Sequence, residues 1–216
     1  AIVAAGREGF SLGMLYTFES GAMAVGTLLI GTFGAVALAA NQVVYAVAGL
    51  FYMVPLGIAG AVTVRIAQEN GAGNAAALRP IAWAALALAL GWLSVAALCF
   101  GFGGRVIAAL ITDDAAVVAL AAQMFIVIGA LQLSDGVYST MLGALRGMSD
   151  TRWPAAVATL CYWAISLPAG WILAYPLGLG PVAIWIGIGI GVAVAALALT
   201  LRFRAGTRPA GALRLG

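Results

Sequence analysis

Two carboxylates stand where this sequence can least accommodate a charge. Glu19 lies in MLYTFESGAMAVGTLLIG (residues 14–31), near the middle of an apolar stretch from Phe10 to Ile30. Asp135 lies in ALQLSDGVYSTMLGALRG (residues 130–147), an equally apolar setting. A charged side chain at the centre of a bilayer costs at least about 2.5–3.5 kcal/mol on the most lenient scale. Acids retained at that cost face protein or a water-filled cavity, and the chemistry they first suggest is binding of a cation or a proton. Their neighbours have suitable oxygens at helical spacing. Gln132, Asp135, Tyr138 and Ser139 recur along one helix face, Tyr16, Glu19 and Ser20 along another, and Asn41, Gln42 and Tyr45 form a third polar group. The competing reading is that the acids only hold helices together. A neutral Asn or Gln would do that at less cost, so the ion-site reading is preferred. For Gln42 the two readings stand level.

The elements that must position these residues follow from composition. The 216 residues are 64% hydrophobic and 8% charged, with a mean hydropathy of +1.11. Soluble domains are about 25% charged, which excludes an ordinary water-soluble protein. A spanning helix needs about 20 apolar residues, and six stretches qualify: Phe10–Ile30, Val36–Ile58, Ile81–Phe102, Val117–Leu142, Pro154–Tyr175 and Val182–Leu201. The connections GTFG, ENGAGN, RGMSDTRWP and PLGLGP are short and rich in turn residues. The expected organisation is one six-helix bundle over residues 1–204 and a basic cytoplasmic tail over 205–216. All ten basic residues are arginines, and nine fall on one side of this topology: Arg7, Arg65, Arg79, Arg146, Arg152, Arg202, Arg204, Arg208 and Arg214. Only Arg105 falls on the other. That asymmetry predicts a multi-pass protein of the cell (inner) membrane with both termini cytoplasmic. The arginines form no stripe, so they indicate membrane anchoring and no nucleic-acid partner.

Depth follows from helical rise. Twelve residues separate Arg7 from Glu19, about 18 Å, and eleven separate Asp135 from Arg146, about 16 Å. Half the hydrocarbon core is about 15 Å, so both acids fall near the midplane. They are the only acids within the six spans.

Other features have plainer readings. Asp113 and Asp114 in TDDAAV suit a helix N-terminus. GIGIG at 187–191 follows no strand and lies within a span, so close helix packing explains it better than dinucleotide binding. NGAGN lacks the Lys and Ser/Thr of a phosphate loop. Pro55 and Pro168 predict kinks. Cys99 and Cys161 each sit inside an apolar run and are expected to pack without a disulfide. With no His and no accompanying catalytic motif, an enzyme using the two acids as an acid–base pair is not expected.

Taken in order, GTFGAVALAANQV, MVPLGIAGAVTVRIAQENGAGN and LQLSDGVYSTMLGALRGMSDTRWP resemble the C-terminal half of multidrug and toxic compound extrusion (MATE) transporters, in particular the NorM-like branch. The resemblance runs from about Gly6 to Arg204. It implies an all-α membrane fold in which six helices form one bundle of a two-bundle, twelve-helix transporter, with a central cleft that opens to alternate sides. It implies antiport, in which organic cationic drugs or toxic compounds leave in exchange for Na⁺ or H⁺, and no cofactor beyond that coupling ion. Carried over by position, Glu19 and Asp135 are the acids of the family's cation site and the provisional Na⁺ ligands. Asn41–Gln42 stands where the family has His–Gln, and Asp114 falls at an outer acid position. Tyr16, Asn41, Tyr45, Gln132, Tyr138 and Ser139 are the candidate cavity lining. The expected partners are an organic cation, the lipid bilayer and a first six-helix half. That half is supplied by a longer chain, by a separate gene product or by a second copy, and a longer chain is the first expectation. The alternative function is a six-helix scaffold or binding subunit that transports nothing.

Overall fold

The computed structural model describes residues 2–207, with side chains from Gly13 onward. Arg208, Arg214 and most of the expected tail lie outside the described residues, as does the Arg7 side chain. Six helices carry the chain: α1 (Ile2–Gly31), α2 (Ala35–Gly71), α3 (Ala75–Ala109), α4 (Ala115–Gly147), α5 (Arg152–Ala174) and α6 (Val182–Gly206). Each is long and apolar enough to cross a bilayer, where backbone groups must be satisfied within the segment. This is a multi-pass membrane protein. Three of the five breaks use backbone that most residues resist, with Gly34 at φ 108°, Gly73 at 73° and Gly178 at 68°.

The helices outrun the apolar stretches that announce them. α2 continues thirteen residues past Ile58, about 20 Å, because VTVRIAQENG contains no breaker before the turn at Gly73. The last helix likewise runs to Gly206, two residues past the expected end of the bundle.

α4 is the centre of the bundle and packs on α2, α3 and α6. Its glycines bring neighbouring backbones close. A Cβ at Gly143 would sit 2.5 Å from the Ala59 carbonyl oxygen, and one at Gly147 would sit 2.7 Å from that of Thr63. Thr63 Oγ1 donates across this seam to the Gly143 carbonyl at 3.0 Å. GIGIG does the same for α6: Gly187 lies on the backbone of Gly170, and Gly191 lies against Ser166 and the Cys161 carbonyl. Both cysteines are free thiols.

The two intramembrane prolines have different consequences. Pro55 has no N–H for the carbonyl of Phe51, and Trp92 Nε1 of α3 donates to that oxygen at 2.9 Å. Pro168 follows a π-helical stretch, Cys161–Ser166, in the middle of α5. Where proline removes a donor, the ladder upstream widens to i→i+5.

The ends of the bundle differ in character. At one, Arg202 pairs with Asp150 at 2.9 Å and lies over Trp153, while Arg204 lies over Trp83. Arg79 donates to Thr207 Oγ1 and the Arg204 carbonyl at the same end. At the other, Tyr175 bonds Thr32 and the Leu29 carbonyl.

Candidate functional site

The site is assembled where α1, α2, α4 and α5 meet. Glu19 is half-buried on α1, and its Oε1 accepts from Tyr162 OH at 3.1 Å. Tyr162 belongs to the π-helical stretch, and the next residue, Trp163, donates its indole N–H to the Phe18 carbonyl at 3.1 Å. Two successive side chains of α5 thus grip two successive residues of α1. The widened turn sets both directions at once.

Asp135 is half-buried on α4 and within electrostatic range of Glu19. Three phenols lie within electrostatic reach of both acids: Tyr52 of α2, Tyr138 of α4 and Tyr162 of α5. Tyr138 is 2% exposed, meets the edge of the Tyr162 ring at 6.3 Å, and has no hydrogen-bond partner for its OH among the described residues. Ser139 lies against Tyr52. Arg146 approaches from the end of α4, where Nη1 donates to Tyr16 OH at 3.0 Å.

Five of the residues singled out by sequence therefore share this cluster: Tyr16, Glu19, Asp135, Tyr138 and Ser139. The others go elsewhere. Asn41 is buried and accepts from Trp185 Nε1 at 3.0 Å, a link between α2 and α6. Tyr45 is half-exposed beside the same indole, and Gln42 is exposed on the turn between them. Gln132 is buried and donates to the Ala48 carbonyl at 3.3 Å, so the polar face of α4 divides, with Gln132 tying to α2 and Tyr138 turning to α5. Asp114 is the N-cap of α4, accepting from the backbone N–H of Ala116 at 2.8 Å and of Val117 at 3.3 Å. It lies 21 residues from Asp135, about 32 Å along the helix.

Sequence reasoning missed Tyr52, Tyr162 and Arg146. Tyr52 is two turns from Tyr45, a spacing that places both on one side of α2. Tyr162 has no periodic partner in CYWAIS. Arg146 was read as a loop charge, whereas its side chain turns back along the bundle.

Among the described residues no three acids, cysteines or histidines converge as a transition-metal site would require. Two carboxylates and three phenols offer oxygen only, a set suited to a hard monovalent cation, an ammonium group or a proton. Built into apolar helices, such a set can hold a cation or a proton within the membrane.

The chain belongs to the MatE family, whose pattern matches residues 12–172. It is 39% identical over 202 residues to a probable multidrug resistance protein NorM of Xanthomonas axonopodis pv. citri, covering 94% of this chain and 44% of that protein. It is 37% identical over 182 residues to the multidrug resistance protein NorM of Burkholderia vietnamiensis, covering 82% and 39%. The fold agrees with that of the Vibrio cholerae MATE transporter VcmN in its bent form, with a TM-score of 0.80 at 19% identity over 90% of this chain and 44% of that one. A multidrug resistance MATE transporter in an inward-facing conformation gives a TM-score of 0.83 at 18% identity over 92% and 46%. The chain therefore spans less than half the length of the relatives it matches. Its six spans match one bundle of the MATE fold.

Proposed function

We propose that this chain is the ion-coupling lobe of a multidrug exporter that expels cationic organic compounds in exchange for Na⁺ or H⁺. The observation that supports this reading is that Glu19 and Asp135, each well inside its helix, lie within electrostatic reach of the same three phenols. In one state the carboxylates hold an organic cation or Na⁺, with Tyr162, Tyr138 and Ser139 oxygens around it. Entry of the coupling ion neutralises the acids, lowers affinity for the organic cation and favours the state facing the other side. Such a shift is driven by the difference in binding free energy between the two states. In this reading both termini face the cytoplasm from the cell membrane, since an arginine-rich end of the bundle suits the inner leaflet. The second lobe comes from a longer chain, a partner subunit or a second copy.

The test is efflux of a fluorescent organic cation from proteoliposomes under separate Na⁺ and pH gradients, using the full-length gene product and its Glu19→Gln form. Gradient-driven efflux is expected from the parent and lost in the variant. Equal efflux by the two would refute the role given to Glu19.

A further inference from the structure

Arg146 ends α4 with its charge directed into the acid cluster, away from the loop that follows. Besides the bond from Nη1 to Tyr16 OH, its guanidinium carbon lies 5.3 Å from the centre of the Tyr16 ring. Nε and Nη2 are buried and meet no acceptor among the described residues. Two of three guanidinium nitrogens are thus removed from water without return, an arrangement that favours any rearrangement offering an anion. Such an anion is one turn away. Glu19 follows Tyr16 by three residues, about 4.5 Å along the same face of α1, and Arg146 already acts on its carboxylate electrostatically. Tyr162 occupies Glu19 Oε1, which leaves Oε2 for a second donor.

We propose that Arg146 is a tethered counter-cation that alternates between Tyr16 and Glu19. It pairs with the Glu19 carboxylate when no diffusible cation is bound there, and it withdraws to Tyr16 when one arrives. This rests on the reading of Glu19 as a cation-binding acid and adds the partner that replaces the cation. A side chain on the same protein competes at a high effective concentration. The carboxylate therefore never stands bare, and departure of the cation is assisted by arrival of the arginine. The groups facing the guanidinium are Tyr16 and Glu19 from α1 and Tyr138 from its own helix, α4. Among these, Tyr16 alone bonds it in the present arrangement.

The experiment is equilibrium binding of tetraphenylphosphonium to the full-length gene product in detergent. Arg146→Gln removes the competitor, and the half-saturating concentration falls about tenfold, as for a coupling of ordinary size. Tyr16→Phe removes the resting place, drives Arg146 onto Glu19 and raises the half-saturating concentration several-fold. The double variant behaves as Arg146→Gln alone. Arg146→Lys keeps the charge without the planar fork and tightens binding by less, so it replaces Arg146→Gln if the latter does not fold. Opposite signs for the arginine and tyrosine variants are the expected result, since a merely structural contact would shift both the same way. Shifts of equal sign, or none while Glu19→Gln abolishes binding, would overturn the role of Arg146 and leave the function above standing. Full binding by Glu19→Gln would overturn both.

Discussion

The joint between α2 and α3 can be tested by a double-mutant cycle whose answer follows from one missing N–H. Pro55 leaves the Phe51 carbonyl without its helical donor, and Trp92 Nε1 fills the gap at 2.9 Å. Trp92→Phe withdraws that donor. Interhelical hydrogen bonds in membranes average about 0.6 kcal/mol and reach about 1.7. Here the carbonyl has no helical partner to fall back on, so a value near 1 kcal/mol is expected, about a fivefold change in the folding equilibrium. The substitution also trims the ring that stacks on Phe51 at 6.0 Å, a packing loss that must be separated from the bond. Pro55→Ala makes the separation, because it restores the helical N–H and leaves Trp92 dispensable as a donor. Trp92→Phe should therefore cost about 1 kcal/mol more in the parent than in the Pro55→Ala background. Reversible unfolding of the full-length protein in mixed micelles measures both. Equal costs, within about 0.5 kcal/mol, would mean that Trp92 does not replace the lost donor.

Other expectations concern the acid cluster and the cap. Tyr162→Phe removes the hydroxyl that donates to Glu19 while Trp163 still holds α5 to α1. A bond to an ionised carboxylate is worth about 1.5–3 kcal/mol, less where the acid is half-exposed, so the folded state should lose about 1 kcal/mol in the micelle assay and coupled efflux should fall several-fold. Asp114→Ala should cost about 0.5–2 kcal/mol in stability, read in the same micelle assay, because it removes the α4 cap. Its half-saturating concentration for an organic cation should match the parent's, and a shift there would assign Asp114 a part in binding.

The parts of this fold that sequence exposes are those with a large local cost. Six apolar runs could be nothing but spans, and two acids within them had to be satisfied by something. Helix ends were less legible, since RIAQENG is as good a helix outside the bilayer as the residues before it are inside. Partners were less legible again. Asn41 and Gln42 are adjacent in sequence and carry the same chemistry, yet a helical step of about 100° sends one to Trp185 and the other to the surface. Tyr162 could not be placed by counting, because the π turn shifts the register on which counting depends. Arg146 looked like a loop residue because a long flexible side chain leaves no trace of its direction in sequence.

The glycine seam of α4 bears on how the two acids can move. Where Gly143 and Gly147 rest on the carbonyls of α2, backbone approaches backbone closely, flanked by the short side chain of Thr63 and the branched one of Ile66. Sliding α4 along α2 by a turn would bring the side chains on the same face, Ser139 and Thr140, onto those carbonyls. The height of Asp135 is accordingly fixed with respect to most of the bundle. α1 sits at the margin and packs chiefly on α5, held at Glu19 through one phenol and one indole. Of the two carboxylates, Asp135 is the more firmly held, and a change in the distance between them would be resisted least as a displacement of the first helix.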